Sequence, residues 1–546
     1  MKSTMSAARI HVLAVFVRKT MSYNKILNQP VPQTEPLNSS QVPNDGGGYA
    51  YAIDPFNQLD RFLTIGAATG TYYVNQRTHA KNSVELLGTC LKSDPHRTIE
   101  RIVNVSVKGL APQQTHAIFA LAYACAHAPT VEARSKALGA VNSVCRTAST
   151  FFLFLDELRG QRHLTGRAVK RMISDWYQLK DVDSLGYQMV KYRNRNGFSH
   201  ADAIKLGHVR PPADPMTSNL YKWALGLAKA DDLELPRIVQ GFDLAANADS
   251  EQELIKAIVD YKLPHEAIPT KFKTSAEVWR NMLPHMPLTA LVRNLRNMSQ
   301  YGVFDSKDAL QLVADKLDNQ ELIHKSRLHP MTALIARVNY DFVGCNPAIK
   351  GLLEGLFFKA MPNVTPTNKR ILVGLDVSGS MGTNVVGNLS SRTCATAMSL
   401  IWAKTELHCE VMAFSQGFTP LDFNQFTSLN EAILSIRGLP FSATDCSLPM
   451  RYAYEAGKEY DAFVILTDNE TNYGAIHPSQ MLKQYREKFV PDARQVILAT
   501  SATKFSIADP NDPLAMDISG FSADVPITVA NFIRGAGDPE SVHDVE

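Results

Sequence analysis

The chain has 546 residues, of which 45% are hydrophobic and 20% are charged, so it has room for about two to four domains and is too apolar for wholesale disorder. Residues 1–368 carry 43 Lys and Arg against 32 Asp and Glu, whereas residues 369–546 carry 13 against 21, which favours a polyanionic partner for the first part and metal cations for the second. The seven cysteines form no C-x-x-C pair and no apolar run reaches the roughly 20 residues of a membrane span, which excludes a thiolate zinc site, a disulfide framework and a transmembrane helix.

The N-terminal region contains two segments outside any predicted domain. Residues 1–20, MKSTMSAARIHVLAVFVRKT, hold a short apolar run that reads either as a weak secretory signal or as an over-extended start before Met21. Residues 27–48, LNQPVPQTEPLNSSQVPNDGGG, are rich in Pro, Asn, Ser and Gly. We therefore expect a flexible N-terminal extension over residues 1–42.

The stretch from about residue 57 to 360 has a helical pattern almost throughout. Segments such as LDRFLTIGAA, THAIFALAYACAHA and GRAVKRMISDWYQL repeat apolar residues at helical spacing, and short polar or Pro/Gly breaks separate them. Successive amphipathic helices without intervening strands predict an α-solenoid of irregular, HEAT-like repeats over residues 43–360. An ordinary helical bundle is the alternative.

The pattern changes at MPNVTPTNKR, residues 361–370. Short apolar runs, including ILVGLD, CEVMAF, FVILT and RQVILAT, now alternate with helical segments. Strands that are apolar on both faces are typical of a buried parallel sheet. Residues 361–546 are therefore predicted to form a doubly wound α/β domain.

The segment DVSGS ends the first predicted strand of that domain with small oxygen-bearing side chains. An extended D-x-S-x-S places Asp376, Ser378 and Ser380 on one side, because side chains alternate along a strand. Ligands bind beyond the carboxyl ends of such strands, and an oxygen set of this kind suits Mg²⁺. The set is incomplete, and the candidates for its remaining members are Thr444 and Asp445 in a later loop and Asp468 at another strand end.

Two other interpretations of these residues stay open. One is a strand-to-helix turn capped by serines, with Asp468 as a helix N-cap. The other is an aspartyl-phosphate hydrolase with Asp376 as nucleophile, although the second acid and the strand-end lysine of that chemistry are missing.

The densest basic stretch runs from residue 161 to 213 and contains KYRNRNGFSH. Its cations suit phosphates, its amides suit base edges and its rings suit stacking, as single-stranded RNA contact requires. Lys191, Arg193 and Arg195 would fan cations around an extended segment or a helix start. A solvated helix face is the alternative.

D-x-S-x-S followed by a loop threonine and a strand-end aspartate resembles the metal-ion-dependent adhesion site of von Willebrand factor A domains. The resemblance implies that Ser378, Ser380 and Thr444 directly bind a divalent cation, with Mg²⁺ as the expected ion. It also implies that Asp376 and Asp468 act largely through water, and that a carboxylate from a protein partner fills the last position.

The helical part and the α/β part together resemble the Ro 60 kDa autoantigen (TROVE-domain) family of RNA-binding proteins. Residues 45–534 carry this resemblance, most specifically in GRAVKRMISDWY, KYRNRNGFSH and TDCSLPM. It implies a ring of HEAT-like repeats closed by the A domain. Small Y RNAs would bind its basic outer surface, and single-stranded ends of misfolded non-coding RNAs would enter its central hole.

The same resemblance implies roles for individual residues. The residues that correspond to outer-surface RNA contacts are Lys191, Arg195 and His208, and those expected on the same basic face are Arg167, Lys170 and Arg171. For His208 a core or capping histidine is the alternative. Trp176 and Tyr177 are expected to be packing residues.

We therefore expect a monomeric, ring-shaped binding protein of RNA quality control and stress survival, without catalytic activity. It would reside in the cytoplasm, with a nuclear pool in a eukaryote, and an exoribonuclease is one candidate partner for the metal site. A metal-dependent scaffold that acts without RNA is the main alternative. A chelatase subunit and a nuclease are disfavoured, because the chain lacks an acidic linker and, in its basic region, clustered acids.

Overall fold

The fold consists of a helical part followed by an α/β domain, as predicted. The computed structural model describes residues 29–65, 76–108, 114–326, 328, 330–341, 346–362, 366–382, 384–386, 389–424, 427–439, 443–500, 503–519 and 524–535. The predicted segment 1–20 lies outside these residues. Within them, no helix is long and apolar enough to cross a bilayer.

The helical part extends from residue 55 to residue 359. Its helices are α1 Pro55–Ile65, α2 Gln76–Ser93, α3 Pro95–Val107, α4 Thr115–His127, α5 Val131–Gly139, α6 Val141–Val144, α7 Ala148–Gly160, α8 Arg167–Gln178, α9 Val182–Lys191, α10 His200–Gly207, α11 Pro215–Ala224, α12 Arg237–Ala246, α13 Glu251–Tyr261, α14 Ala276–Met282, α15 Leu288–Gln300, α16 Lys307–Asp318, α17 Gln320–Ser326, α18 Pro330–Asn339 and α19 Pro347–Lys359. Sequence neighbours pack as pairs, for example α12 with α13 and α18 with α19. This arrangement is that of stacked helical repeats, so the predicted fold class is confirmed.

Local sequence explains where these helices begin and how closely they pack. Asp94 caps α3 by accepting from the backbone N–H of Arg97, and proline follows at the first helical position. In α12, a Cβ at Gly241 would lie 2.3 Å from the Cβ of Tyr261, so the absent side chain is what lets α12 and α13 approach.

The α/β domain has a sheet of six strands, which are β5 Arg370–Asp376, β8 His408–Phe414, β9 Phe418–Leu421, β10 Ala462–Thr467, β11 Arg494–Ala499 and β13 Ala515–Ser519. Their order in the sheet is β13-β11-β10-β5-β8-β9, and β6 Asn384–Val386 and β7 Leu389–Ser390 form a separate antiparallel pair. All neighbours are parallel except β8 and β9. The helices are α20 Ser391–Thr405, α21 Leu429–Arg437, α22 Leu448–Ala456, α23 Pro478–Lys488 and α24 Asp524–Ile533. Their buried side chains fall into two clusters on opposite faces of the sheet, as in a doubly wound fold.

The helical part begins and ends against the α/β domain. At the first contact, Arg61 of α1 donates to the carbonyl oxygens of Thr503 and Phe505, at 2.8 Å each, and forms an ion pair with Asp517 of β13. At the second, the ammonium of Lys404 lies 4.3 Å from the ring centroid of Phe358 in α19. The α/β domain therefore closes the series of helices on itself.

The N-terminal segment differs from the predicted flexible extension. Residues 31–53, which we call the strap, contain β1 Gln41–Pro43 and β2 Tyr49–Ala52, and β2 pairs with β12 Phe505–Ser506 of the α/β domain. Val31 donates its N–H to the side chain of Gln480 at 3.1 Å. The prediction was wrong for residues 31–42, because their Pro, Asn and Ser content is equally suited to a segment held by hydrogen bonds to distant backbone.

Candidate functional site

A short hairpin presents Arg195 to solvent. The two-residue strands β3 Asn194–Arg195 and β4 Phe198–Ser199 pair antiparallel, and Asn196 and Gly197 between them have φ values of +50° and +72°. Two left-handed residues of the type Asn-Gly are typical of a type I′ turn. The Arg195 guanidinium is exposed and donates to the Asn194 carbonyl oxygen at 2.9 Å.

A second basic group lies where α8 meets α10. The exposed cations of α8 are Arg167, Lys170 and Arg171. The Nζ of Lys170 lies 3.0 Å from the Nε2 of exposed His208, which ends α10 in a left-handed conformation with φ +48°. Gly207 lets the end of α10 pack closely against α8, since a Cβ there would lie 2.4 Å from the Cγ2 of Ile173 in α8. His208 is therefore a surface residue at a helix end and lies beside Lys170.

Lys191 and Arg193 are braced against aromatic rings. The Nζ of half-buried Lys191 donates to the Tyr187 hydroxyl at 3.2 Å. The guanidinium of Arg193 lies 4.7 Å from the ring centroid of Phe242, and its side chain is exposed. Packing against a ring restricts the motion of a long cationic side chain, while its charged group keeps its charge.

Lys273 is a further cation of this region, and it could not be found from local sequence. Burial lowers the pKa of the His265 imidazole, Glu266 opposes this shift, and Lys191, Lys273 and Arg195 add to it. These three cations therefore lie within electrostatic reach of one histidine. Lys273 is remote from KYRNRNGFSH in the chain, so only the fold brings it there.

The other residues singled out in these motifs, Trp176, Tyr177 and His200, are buried in the helical core. Trp176 and Tyr177 are fully buried, as predicted: the Trp176 Nε1 donates to the Cys145 carbonyl oxygen at 2.7 Å, and its ring stacks on Phe151. The Tyr177 hydroxyl lies 2.9 Å from the Nδ1 of His200, whose pKa burial lowers to about 3. A neutral, buried His200 is part of the core.

The basic set is the name we use for Arg167, Lys170, Arg171, Lys191, Arg193, Arg195 and His208. Across the part of the chain that the structure describes, none of its Lys or Arg side chains forms an ion pair with an acid. The set falls into two groups, Arg167, Lys170, Arg171 and His208 at α8 and the end of α10, and Lys191, Arg193 and Arg195 at the end of α9 and in the hairpin, and no described hydrogen bond joins the two. Both groups thus leave their positive charge available to an external anion.

The second candidate site lies at the carboxyl end of β5. The buried Asp376 carboxylate accepts from the Ser378 N–H at 2.8 Å and from the Thr467 hydroxyl at 2.7 Å. The hydroxyl oxygens of Ser378 and Ser380 are 3.1 Å apart. The prediction of an extended D-x-S-x-S was wrong in one respect, because Gly379–Gly382 forms a 3₁₀ turn. The turn still brings both hydroxyls together.

Asp468 follows β10, the neighbour of β5 in the sheet, and its side chain is hydrogen-bonded to Ser380. Thr444 is buried in the loop before α22, and its backbone N–H donates to the Asn472 Oδ1 at 2.8 Å. Asp376, Ser378, Ser380 and Asp468 are thus linked by contacts, and Asn472 ties the Thr444 loop to the segment after Asp468.

The electrostatics of this cluster suit a cation. Burial raises the pKa of Asp376, and burial together with the Asp376 carboxylate raises the pKa of Asp468 to about 7. No three His, Cys, Asp or Glu side chains come together as metal ligands among the described residues, so the further oxygen donors here are hydroxyls. The two buried carboxylates and the Ser378 and Ser380 hydroxyls form a hard-oxygen set whose chemistry fits a divalent cation such as Mg²⁺, whereas the Thr444 hydroxyl has no described contact with them.

Three neighbours of the cluster were not predicted. Thr467 holds Asp376, Arg392 donates to the Ser378 carbonyl oxygen at 2.9 Å, and Asn472 holds the Thr444 loop. Thr467 adjoins Asp468 in the sequence and offered a local signal. Arg392 and Asn472 reach the cluster only through the fold.

Comparison with known families identifies both parts of the chain. The family model of the TROVE domain matches residues 42–233 and 260–344, and that of the Ro60 vWA domain matches residues 370–533.

Individual relatives match over most of their length. The chain is 33% identical over 524 residues to the RNA-binding protein RO60 of Deinococcus radiodurans, covering 92% of this chain and 97% of that protein. It is 30% identical to the RNA-binding protein RO60 of Caenorhabditis elegans, covering 92% of this chain and 91% of that protein. The crystal structure of the Deinococcus radiodurans RO (RSR) protein superposes with a TM-score of 0.69 at 32% identity, covering 88% of this chain and all of that one.

Proposed function

Because this chain belongs to the Ro60 family of TROVE-domain proteins, we propose that it binds RNA, and that it does so through the basic set. The observation that carries this proposal is the set of cations without acid partners among the described residues, including Lys170 at 3.0 Å from His208. Cations of this kind neutralise phosphates and release counterions, which supplies affinity without a base code.

The partner RNAs we propose are small stem-loop RNAs of the Y RNA type and misfolded non-coding RNAs. The closed path of helices supports a ring, and we propose that its hole admits a single strand and excludes a duplex. Such a shape test would make the protein a sensor of frayed RNA ends, acting by binding and without catalysis. We further propose that it acts as a monomer in the cytoplasm, with a nuclear pool in a eukaryote.

For the α/β domain we propose a bound divalent cation, with Mg²⁺ as the expected ion. Ser378, Ser380 and Thr444 would bind it directly, and Asp376 and Asp468 would act largely through water. When bound, the cation would supply a Lewis-acidic position for a carboxylate of a protein partner, such as an exoribonuclease. Asp376 is held by Ser378 and Thr467, and Asp468 by Ser380, so these residues fix the orientation of both carboxylates. A metal-dependent scaffold without RNA is the second candidate function, and this buried oxygen set is what favours it.

The salt dependence of RNA binding tests the proposed function. If six cations of the basic set each neutralise one phosphate, the logarithm of the association constant falls against the logarithm of salt concentration with a slope of about −4 to −5. Fluorescence anisotropy with a labelled stem-loop RNA bearing a single-stranded 3′ end, titrated at several salt concentrations, measures it. No saturable binding at about 0.1 M salt would leave the scaffold function as the one to pursue.

The metal site is tested by thermal unfolding with and without Mg²⁺. At a concentration about 100-fold above its dissociation constant, the cation is expected to stabilise the α/β domain by about 2.7 kcal/mol. Ser380→Ala and Thr444→Ala should each lose most of this gain. Ser399→Ala is the matched control, since the hydrogen bond that its hydroxyl makes among the described residues is to the Ala395 carbonyl oxygen within its own helix. An equal Mg²⁺ gain in all three variants would contradict the assigned ligands.

A further inference from the structure

The strap lies across the two loops that carry Thr444 and Asp468. Its fully buried residue Gln33 donates from Nε2 to the Asp445 Oδ1 at 2.6 Å and to the Ile476 carbonyl oxygen at 2.8 Å. The Gln33 side-chain oxygen accepts from the Thr471 hydroxyl. One neutral amide therefore joins the residue after Thr444 to the segment after Asp468.

A second set of strap contacts reaches the same loops. Asn44 donates to the Thr471 carbonyl oxygen at 2.5 Å, and the Gly46 N–H donates to Glu470 at 2.7 Å. The Gly46 carbonyl oxygen accepts from the Asn472 Nδ2 at 3.0 Å, while the Oδ1 of that same amide accepts from the Thr444 N–H at 2.8 Å. Asn472 thus links the strap directly to a proposed metal ligand.

The approach of the strap is close enough to require glycine. A Cβ at Gly48 would lie 2.0 Å from the Thr471 carbonyl oxygen, and a Cβ at Gly474 would lie 2.6 Å from the Gln33 Nε2. Backbone cannot yield as a flexible side chain can, so a substitution at Gly48 must displace the strap, the Thr471 segment or both. The contact is therefore specific in shape as well as in hydrogen bonding.

We propose that the strap is a positioning element of the metal site, and that Gln33 and Asn472 are its positioning residues. The inference rests on the proposed cation site, because it concerns how Thr444 and Asp468 are held in register across two separate loops. Residues that orient metal ligands from behind set metal affinity, and their loss costs about 10- to 100-fold. The cation site of the α/β domain is accordingly completed by a segment more than 400 residues away in the chain.

The test is a titration of the full chain with Mn²⁺, in which electron paramagnetic resonance measures the concentration of free Mn²⁺. Gln33→Ala and Gly48→Val are expected to raise the Mn²⁺ dissociation constant about 10- to 100-fold. Thr34→Ala is the matched control, since Thr34 is exposed beside Gln33, and it should bind as the wild type does. RNA affinity should stay unchanged in all three variants, which a general loss of structure would not allow.

The outcomes separate this inference from the metal site itself. Wild-type binding of Mn²⁺ with unchanged affinity in Gln33→Ala and Gly48→Val overturns the positioning role alone. Absence of Mn²⁺ binding by the wild type overturns the metal site and this inference with it. Equal losses in the control and in the two strap variants also overturn it, because the effect would then not depend on the contacts described.

Discussion

Charge reversal of Lys170 and Arg195 together is expected to weaken RNA binding on the order of 100-fold at about 0.1 M salt, and to reduce the salt slope by about 2. Both side chains are exposed; Arg195 bonds the carbonyl oxygen of its neighbour Asn194, and Lys170 contacts the exposed His208 at the end of α10. The double variant Lys170→Glu, Arg195→Glu samples both groups of the basic set. Anisotropy with the stem-loop RNA gives the affinity, and circular dichroism checks that the helices remain.

The matched control for this variant is Lys92→Glu with Lys307→Glu. These two exposed residues belong to α2 and α16, and reversing them changes the net charge by the same amount. They should leave affinity within a few-fold of the wild type, because neither residue belongs to the basic set. Equal losses in the two double variants would mean that binding follows net charge, and the basic set would lose its assigned role.

Arg61→Ala is expected to be the most destabilising single substitution considered, at about 3–5 kcal/mol. The Arg61 side chain is 4% exposed, and its ion-pair partner Asp517 is 18% exposed. Removing the guanidinium leaves the largely buried Asp517 carboxylate without its ion-pair partner, although its hydrogen bond to Ser506 remains, and takes one donor each from the Thr503 and Phe505 carbonyl oxygens. Calorimetry should show the loss in the first unfolding transition, because the contact joins the two domains.

Lys136→Ala provides the comparison for Arg61→Ala. Its ion pair with Glu100 is exposed, at 37% and 62% for the two side chains, and such pairs contribute about 0–1 kcal/mol. If Arg61→Ala cost no more than this control, the first contact between the helical part and the α/β domain would not be important for stability.

The outline of the fold could be predicted from the sequence because it depends on local periodicity. Helical spacing marked α4 and α8, and continuous apolar runs marked β5 and β10. D-x-S-x-S and Asp468 could be assigned to one site, because the neighbouring strands β5 and β10 are parallel and their carboxyl ends therefore lie side by side.

What the sequence could not provide are contacts between remote segments. The strap has the same composition as a free tail, and its hydrogen bonds to Thr471 and Asp445 leave no periodic signal. Lys273 joins Lys191 and Arg195 around His265 only because α9, the hairpin and the loop before α14 converge. The 3₁₀ turn at Gly379–Gly382 was missed because alternation was extended past the end of the strand.

The strap also bears on the order of events during synthesis. Its residues leave the ribosome well before their partners Thr471 and Phe505, which lie more than 400 residues later in the chain. At about 5–20 residues per second the strap waits on the order of 20 to 90 seconds without its partners. A strongly apolar strand would invite aggregation during that interval, whereas QTEPLNSSQVPNDGGG stays hydrated. Its tail-like composition is thus what allows a segment made so long before its partners to wait for them and dock late.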